Sequence, residues 1–181
     1  MIRLGSNSPT RALILKNFGI DFIQNGGDFD EDSITTTNPK SFCYEATKGK
    51  FDELYKKYGV EEIPLLVADS VVTCEGKLLR KAKNLNDAKS MLELQSGNKT
   101  SVITCMIYKS KEKELIDISI TTYEFEKFDE KHMQEYLDSK ECFGKAGAIM
   151  VEGFCKPYIK SVTGYESCAM GLSAEKLKIF L

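Results

Sequence analysis

Short apolar runs separated by polar turns predict a chain in which strands and helices alternate. Residues 2–5 form an expected strand, and Ser8-Pro9-Thr10-Arg11 reads as a helix start, with Ser8 as N-cap and Pro9 in the first helical position. That helix should stop at Gly19. Further strands are expected at 20–24, 64–74, 77–79, 100–108, 114–125 and 155–162, and helices at 40–58, 85–95, 129–139 and 172–180. Asn84 can cap the helix at 85–95 and Gly97 can end it, while 110–113 reads as the charged tip of a hairpin. Helices and strands are mixed along the chain rather than segregated, which indicates an α/β architecture.

A length of 181 residues suits one compact domain, 1–181, and 42% hydrophobic content is enough to build its core. No internal repeat, low-complexity run or linker divides it. The 25 Lys and Arg residues nearly balance the 27 Asp and Glu residues. Such a balance argues against a grip on long nucleic acid, so any bound anion should be small. The six cysteines, Cys43, Cys74, Cys105, Cys142, Cys155 and Cys168, form no CxxC pair and no Cys/His cluster of zinc spacing. No signal-peptide core and no membrane-length apolar run is present, so reduced thiols in a cytoplasmic protein without a membrane partner are expected. The single His132 sits in a charged helical stretch, a poor base for a nucleophilic triad.

Four places could carry chemistry. Arg11 falls in the first turn of a helix, where the dipole favours acidic groups, so a cation there asks for an anion. With the Ser6 and Ser8 hydroxyls and free helix amides it would make a phosphate cradle; the alternative is a solvated arginine beside a well-capped helix. LLVADSVV (65–72) describes a strand buried on both faces, yet it contains Asp69. A buried carboxylate needs a metal, a lysine or strand-end amides, and the first two make it a candidate ligand or general base. The acidic cluster Asp28, Asp30, Glu31 and Asp32 lacks EF-hand spacing and is either a solvated loop or a source of one magnesium ligand near Asp69. Finally, GKAGAIMVEG (144–153) sets Lys145 and Glu152 around small residues that let backbone approach a ligand. Lys48 and Lys81, taken singly, read as surface charges. QSGNKT is not a Walker loop, and no G-x-G-x-x-G follows a strand.

Taken in order, LGSNSPTR (4–11), ADSVV (68–72), the stretch 76–104, GKAGA with the later EG (144–153) and GYESCAMGLS (164–173) resemble the Maf family of nucleoside triphosphate pyrophosphatases. The resemblance is collinear over nearly the whole chain. It implies an α/β fold like that of inosine-triphosphate pyrophosphatases: a long curved mixed sheet flanked by helices, with two lobes around a cleft. It also implies metal-dependent hydrolysis, with Mg²⁺ or Mn²⁺, of a nucleoside triphosphate to the monophosphate and pyrophosphate. Such house-cleaning of modified nucleotides accompanies, in this family, effects on cell division, and a non-catalytic nucleotide-binding regulator of division is the alternative. Homodimers are common among similar proteins.

By this resemblance Asp69 is the catalytic acid of the family's A-D-T motif, Arg11 the second arginine of S-P-R-R, and Lys48, Lys81 and Lys145 are its phosphate-binding lysines. Ser6 joins them as a phosphate ligand, and Asp30 and Glu31 match the acidic pair that would hold the metal with Asp69. Thr10, Ser70 and Glu152 occupy the positions associated with base choice. They match neither the thymidine/uridine set nor the 7-methylguanosine set. An ionised Glu152 accepts hydrogen bonds and cannot donate, which suits the adjacent N–H donors of a guanine edge better than the carbonyls of uracil or thymine.

Overall fold

The computed structural model describes residues 1–181. In chain order its elements are β1 (Ile2–Leu4), α1 (Pro9–Asn17), β2 (Phe22–Gln24), α2 (Pro39–Tyr58), β3 (Leu65–Cys74), β4 (Lys77–Leu79), α3 (Leu85–Gln95), β5 (Lys99–Lys109), β6 (Glu114–Phe125), α4 (Glu130–Ser139), β7 (Ile159–Thr163), α5 (Glu166–Ala169) and α6 (Ala174–Phe180). The strands form one seven-stranded sheet in the order β2-β1-β3-β5-β6-β7, with β4 pairing β3. The sheet is mixed: β1 runs parallel to both β2 and β3, whereas β4 is antiparallel to β3 and β7 to β6. This is the expected α/β class, a mixed sheet flanked by helices.

Most expected elements form where the pattern places them, and the departures have local causes. The last strand begins at Ile159 rather than 155, because 156–158 is a 3₁₀ turn around Pro157, which has no N–H for a ladder. The helix expected at 172–180 forms as α6, starting two residues later, and a short helix, α5, precedes it where none was expected. Gly171 between them takes φ +109°, a conformation no helix interior accepts.

Two compact units can be distinguished, and each has its own packing. The first comprises 1–70, 103–119 and 165–181. Its central segments of β3 and β5 are buried on both faces, as LLVA predicts. Leu66, Ala68, Met106 and Tyr108 meet α1 (Ile14, Leu15) and α6 (Leu177) on one side. Leu65, Val67 and Ile107 meet α2 (Phe51, Leu54) on the other. Gly5, just after β1, is confined by both neighbours of that second layer, since a Cβ there would come 2.5 Å from Leu54 and 2.7 Å from Val67.

The second unit comprises 71–102 and 120–164. Its centre is aromatic: Phe125, Phe128, Phe154 and Tyr158 pack with ring centroids 5.1–5.6 Å apart. Tyr136 stacks on Phe154 at 4.5 Å. His132 belongs to this cluster, its Nδ1 2.8 Å from the Tyr158 hydroxyl, which gives the lone histidine a packing role. All six cysteines are buried free thiols, and no helix is long and apolar enough to cross a membrane.

Candidate active site

The alternation of side chains along β3 delivers two adjacent polar residues to opposite layers. Asp69 continues the Leu65–Val67 face, toward α2, and Ser70 continues the Leu66–Ala68 face, toward α1. Asp69 is 8% exposed, so its charge must be compensated within the protein.

The compensation comes from α2. This helix turns Cys43, Ala46, Thr47, Phe51 and Leu54 inward at helical spacing, and Lys50 falls on the same stripe. Its ammonium donates to Asp69 Oδ1 at 2.8 Å and to Glu31 Oε1 at 2.5 Å. Burial pulls the Lys50 pKa down, but the charge of Asp69 and the hydrogen bonds to both carboxylates outweigh it, so the net shift is upward. The ammonium is thereby kept charged. Beside it, the buried Cys43 thiol donates to the Asp69 carbonyl at 3.3 Å.

On the other face, Arg11 lies in the first turn of α1, a turn without an acidic residue. Ser8 caps the helix by accepting from the Arg11 amide at 3.3 Å. The Ser6 hydroxyl accepts from the Ser8 amide and from Arg11 Nη1, both at 3.2 Å. Gln24 on β2 ties the loop down, its side-chain amide donating to the Ser6 carbonyl at 2.8 Å. Arg11 Nε donates to the Gly171 carbonyl at 2.8 Å and Nη2 to the Ser70 hydroxyl at 3.3 Å, while Nη2 stands 4.0 Å from Asp69 Oδ1. Burial lowers the Arg11 pKa, opposed by the charge of Asp69, and a guanidinium retains its proton in such a setting. Arg11 is thus a held cation at the start of a helix, not a solvated one.

The structure therefore brings together Ser6, Arg11, Glu31, Asp69 and Ser70, with Thr10 half-buried on the same turn. It does not bring in Lys48. That side chain is 45% exposed and pairs with Asp52 one turn along α2, so the lysine that reaches the carboxylates is Lys50. The sequence carried the signal, because Lys50 lies on the apolar stripe of α2 and Lys48 lies off it. Asp30, expected beside Glu31, instead caps the short 3₁₀ turn 31–33 by accepting from the Asp32 amide at 2.9 Å, and it is exposed.

The remaining expected residues lie in the second unit. Lys81 and Ala146 form an isolated antiparallel bridge, which sets Lys81 beside the strand of backbone that carries Lys145. The bend after it is fixed at Gly147, which takes φ +64° and where a Cβ would stand 2.8 Å from Val72. Buried Gln95 on α3 donates to the Gly147 carbonyl at 2.8 Å. Lys81 and Glu152 are exposed and Lys145 is half-buried.

Two carboxylates that converge on one cation also define where a metal ion could be held. Their oxygens are hard donors suited to Mg²⁺ or Mn²⁺, ions that take one or two protein carboxylates and complete their shell with phosphate oxygens and water. Asp69 and Glu31 fit such an ion, and no group of three or more His, Cys, Asp or Glu side chains forms a self-sufficient metal cage.

A cation held at a Pro-started helix, beside a carboxylate buried on a central strand, marks an α/β protein with a place where a small phosphate-bearing anion could bind. Comparison with known proteins gives the family. The Maf-like protein model matches residues 1–181, and the chain belongs to that family. It is 52% identical to a nucleoside triphosphate pyrophosphatase of a Nitratiruptor species, over 98% of this chain and 96% of that one. It is 40% identical to one of Helicobacter pylori, over 96% and 91%. A relative of the same name from Campylobacter jejuni is 35% identical over the full length of both. Among solved structures, the Staphylococcus aureus Ham1 protein aligns with 68% of this chain and 71% of its own, at a TM-score of 0.49 and 12% identity.

Proposed function

We propose that this chain hydrolyses a nucleoside triphosphate to the monophosphate and pyrophosphate, with a divalent metal ion, in the cytoplasm. The activity is that named for relatives which match it almost end to end. The observation that carries the chemistry is the position of Asp69, held by Lys50 at 2.8 Å and lying 4.0 Å from the fixed guanidinium of Arg11.

In this reading Arg11, with the Ser6 hydroxyl and the first amides of α1, binds phosphate oxygens of the substrate. Asp69 orients a water molecule and accepts its proton as the water oxygen attacks the α-phosphorus. The bond from that phosphorus to the bridging oxygen breaks, and pyrophosphate leaves with the electron pair. Lys50 holds the carboxylates in place and counters negative charge developing nearby. Asp69 and Glu31 would hold a Mg²⁺ or Mn²⁺ ion, which when bound would supply further neutralisation of phosphate charge. Lys81 and Lys145 enter as additional phosphate-binding cations on the family resemblance. Thr10, Ser70 and Glu152 bear on base choice, and the acceptor-only carboxylate of Glu152 favours a guanine-type or modified purine base.

Product analysis tests the reading. Incubation of the protein with a panel of natural and modified nucleoside triphosphates, with and without Mg²⁺ or Mn²⁺, should release pyrophosphate only with metal present and fastest with guanine-type bases. Release of orthophosphate, or binding without turnover, would overturn the hydrolytic assignment. A preference for dTTP and UTP would overturn the base assignment alone.

A further inference from the structure

The mechanism above needs Arg11 to point in one direction, and the hydrogen bonds around Ser70 show what points it. Thr104 lies on β5 two residues before Met106, and so on the face of the sheet that packs against α1, the same face as Ser70. Its hydroxyl oxygen is 2.8 Å from the Ser70 hydroxyl oxygen and 2.7 Å from the Cys168 carbonyl oxygen. A carbonyl only accepts, so the single Thr104 hydroxyl proton goes to Cys168. Thr104 is then the acceptor from Ser70, the Ser70 proton is committed to Thr104, and a Ser70 lone pair is turned to Arg11 Nη2 at 3.3 Å. The chain has one direction throughout: Arg11 to Ser70 to Thr104 to the Cys168 carbonyl. Hydrogen bonds linked in this way polarise one another, and the terminal carbonyl strengthens the far contact.

The same short segment acts twice. Cys168 anchors the relay, and three residues later the Gly171 carbonyl accepts from Arg11 Nε at 2.8 Å. The guanidinium is held through three N–H directions, by Ser6, Ser70 and Gly171, and its remaining N–H groups are left for a ligand. Thr104 is 0% exposed and does not itself touch Arg11. A threonine in the middle of an apolar strand needs partners, but an ordinary solution is one local carbonyl. Here both of its bonds lead to residues far away in sequence, and one of these holds the phosphate-directed cation.

We propose that Thr104 is a positioning residue for the phosphate-binding arginine: through Ser70 it fixes the rotation of the Arg11 guanidinium, and so sets the affinity for the triphosphate. The proposal rests on Arg11 binding phosphate. Substrate affinity, rather than the proton transfer at Asp69, is therefore what loss of Thr104 changes.

The test uses the full chain and two readouts, KM and kcat for GTP with Mg²⁺, and the affinity for inorganic tripolyphosphate by titration calorimetry. Thr104→Val removes the hydroxyl at nearly constant volume. It should raise KM and weaken tripolyphosphate severalfold, up to about tenfold, the scale of one neutral hydrogen bond, with kcat changed less. Thr104→Ser, which keeps the hydroxyl, should recover the KM. Ser70→Ala cuts the relay one bond earlier, at a less buried position, and should reproduce the Thr104→Val effect even if the valine variant folds poorly. In an Arg11→Ala background neither change should weaken tripolyphosphate further. A Thr104→Val effect that persists undiminished without Arg11, or that Thr104→Ser fails to recover, would overturn the proposal. If Arg11→Ala by itself leaves tripolyphosphate affinity unchanged, the phosphate role of Arg11 fails and the proposal falls with it. Pyrophosphate release by the unmodified protein is a separate observation and would still stand.

Discussion

Lys50 Nζ lies 2.8 Å from Asp69 Oδ1, so a lysine on the inward stripe of α2 neutralises the one carboxylate buried in the central strand. Lys48, two residues earlier, faces away and pairs with exposed Asp52. Lys50→Met should lower turnover on the order of a hundredfold, whereas Lys48→Ala should stay within about twofold of the unmodified protein. Steady-state pyrophosphate release measures both, and a larger loss from Lys48→Ala would reverse the assignment. Removing Lys50 should also cost stability, by roughly 3 kcal/mol or less because Arg11 remains 4.0 Å from the same oxygen.

Asp69→Asn preserves shape and retains a carbonyl that can accept from Lys50. The variant should therefore fold, with turnover reduced by at least about a hundredfold, since an amide cannot take a proton from water. Circular dichroism with a single-turnover assay separates the two effects. Near-normal turnover would remove Asp69 from the chemistry.

Gly171 sits at φ +109°, and a Cβ there would come 3.3 Å from Arg11 Nε and 3.4 Å from Ser70 Oγ. Gly171→Ala should be destabilising by about 1–3 kcal/mol. It should also raise KM, because the backbone that accepts from Arg11 must move. Denaturant melts and KM for the preferred nucleotide should shift together; a stability loss with unchanged KM would show that the Gly171 carbonyl is not needed to orient Arg11.

Burial raises the Cys105 thiol to about 11 and the Cys155 thiol to about 12, from an ordinary 9.0. Both groups are bound more tightly to their protons in the folded chain than in the unfolded one. Their contribution to stability is complete below pH 9.0 and is lost as pH rises through about 11 and about 12. Two outcomes are expected. A thiol reagent at pH 8 should find the folded protein nearly unreactive and the unfolded protein fully reactive. In urea melts between pH 8 and 11, Cys105→Ala should lose less stability with rising pH than the unmodified chain, and parallel declines would count against the shift.

Much of the fold was legible because it depends on local signals. Ser8-Pro9 marks the start of α1, Asn84 that of α3, and the unbroken apolar run before Asp69 identifies a strand covered on both sides. The last strand starts late because Pro157 overrides the pattern, and the four-residue α5 before Gly171 is too short to leave a helical period in the sequence. The site was legible as residue types more than as contacts. Arg11 and Asp69 stand out because each is a charge where its surroundings disfavour one. Lys48 enters through the family resemblance, whereas Lys50, although it lies on the inward stripe, reads as one more surface charge on a long helix until the buried carboxylate it faces is known.

The amino-acid sequence by itself determined the α/β class, the element order, the family and the two charges that had to be compensated, because strand alternation, helix caps and the cost of burying an ion are local matters. The tertiary structure decided which partners compensate them. Lys50 reaches Asp69 from 19 positions away along the chain and brings Glu31 with it from 38, and the Gly171 carbonyl reaches Arg11 across 160. Contacts of that span depend on which faces of β3 and β5 meet which helices, a matter of packing that no local signal encodes.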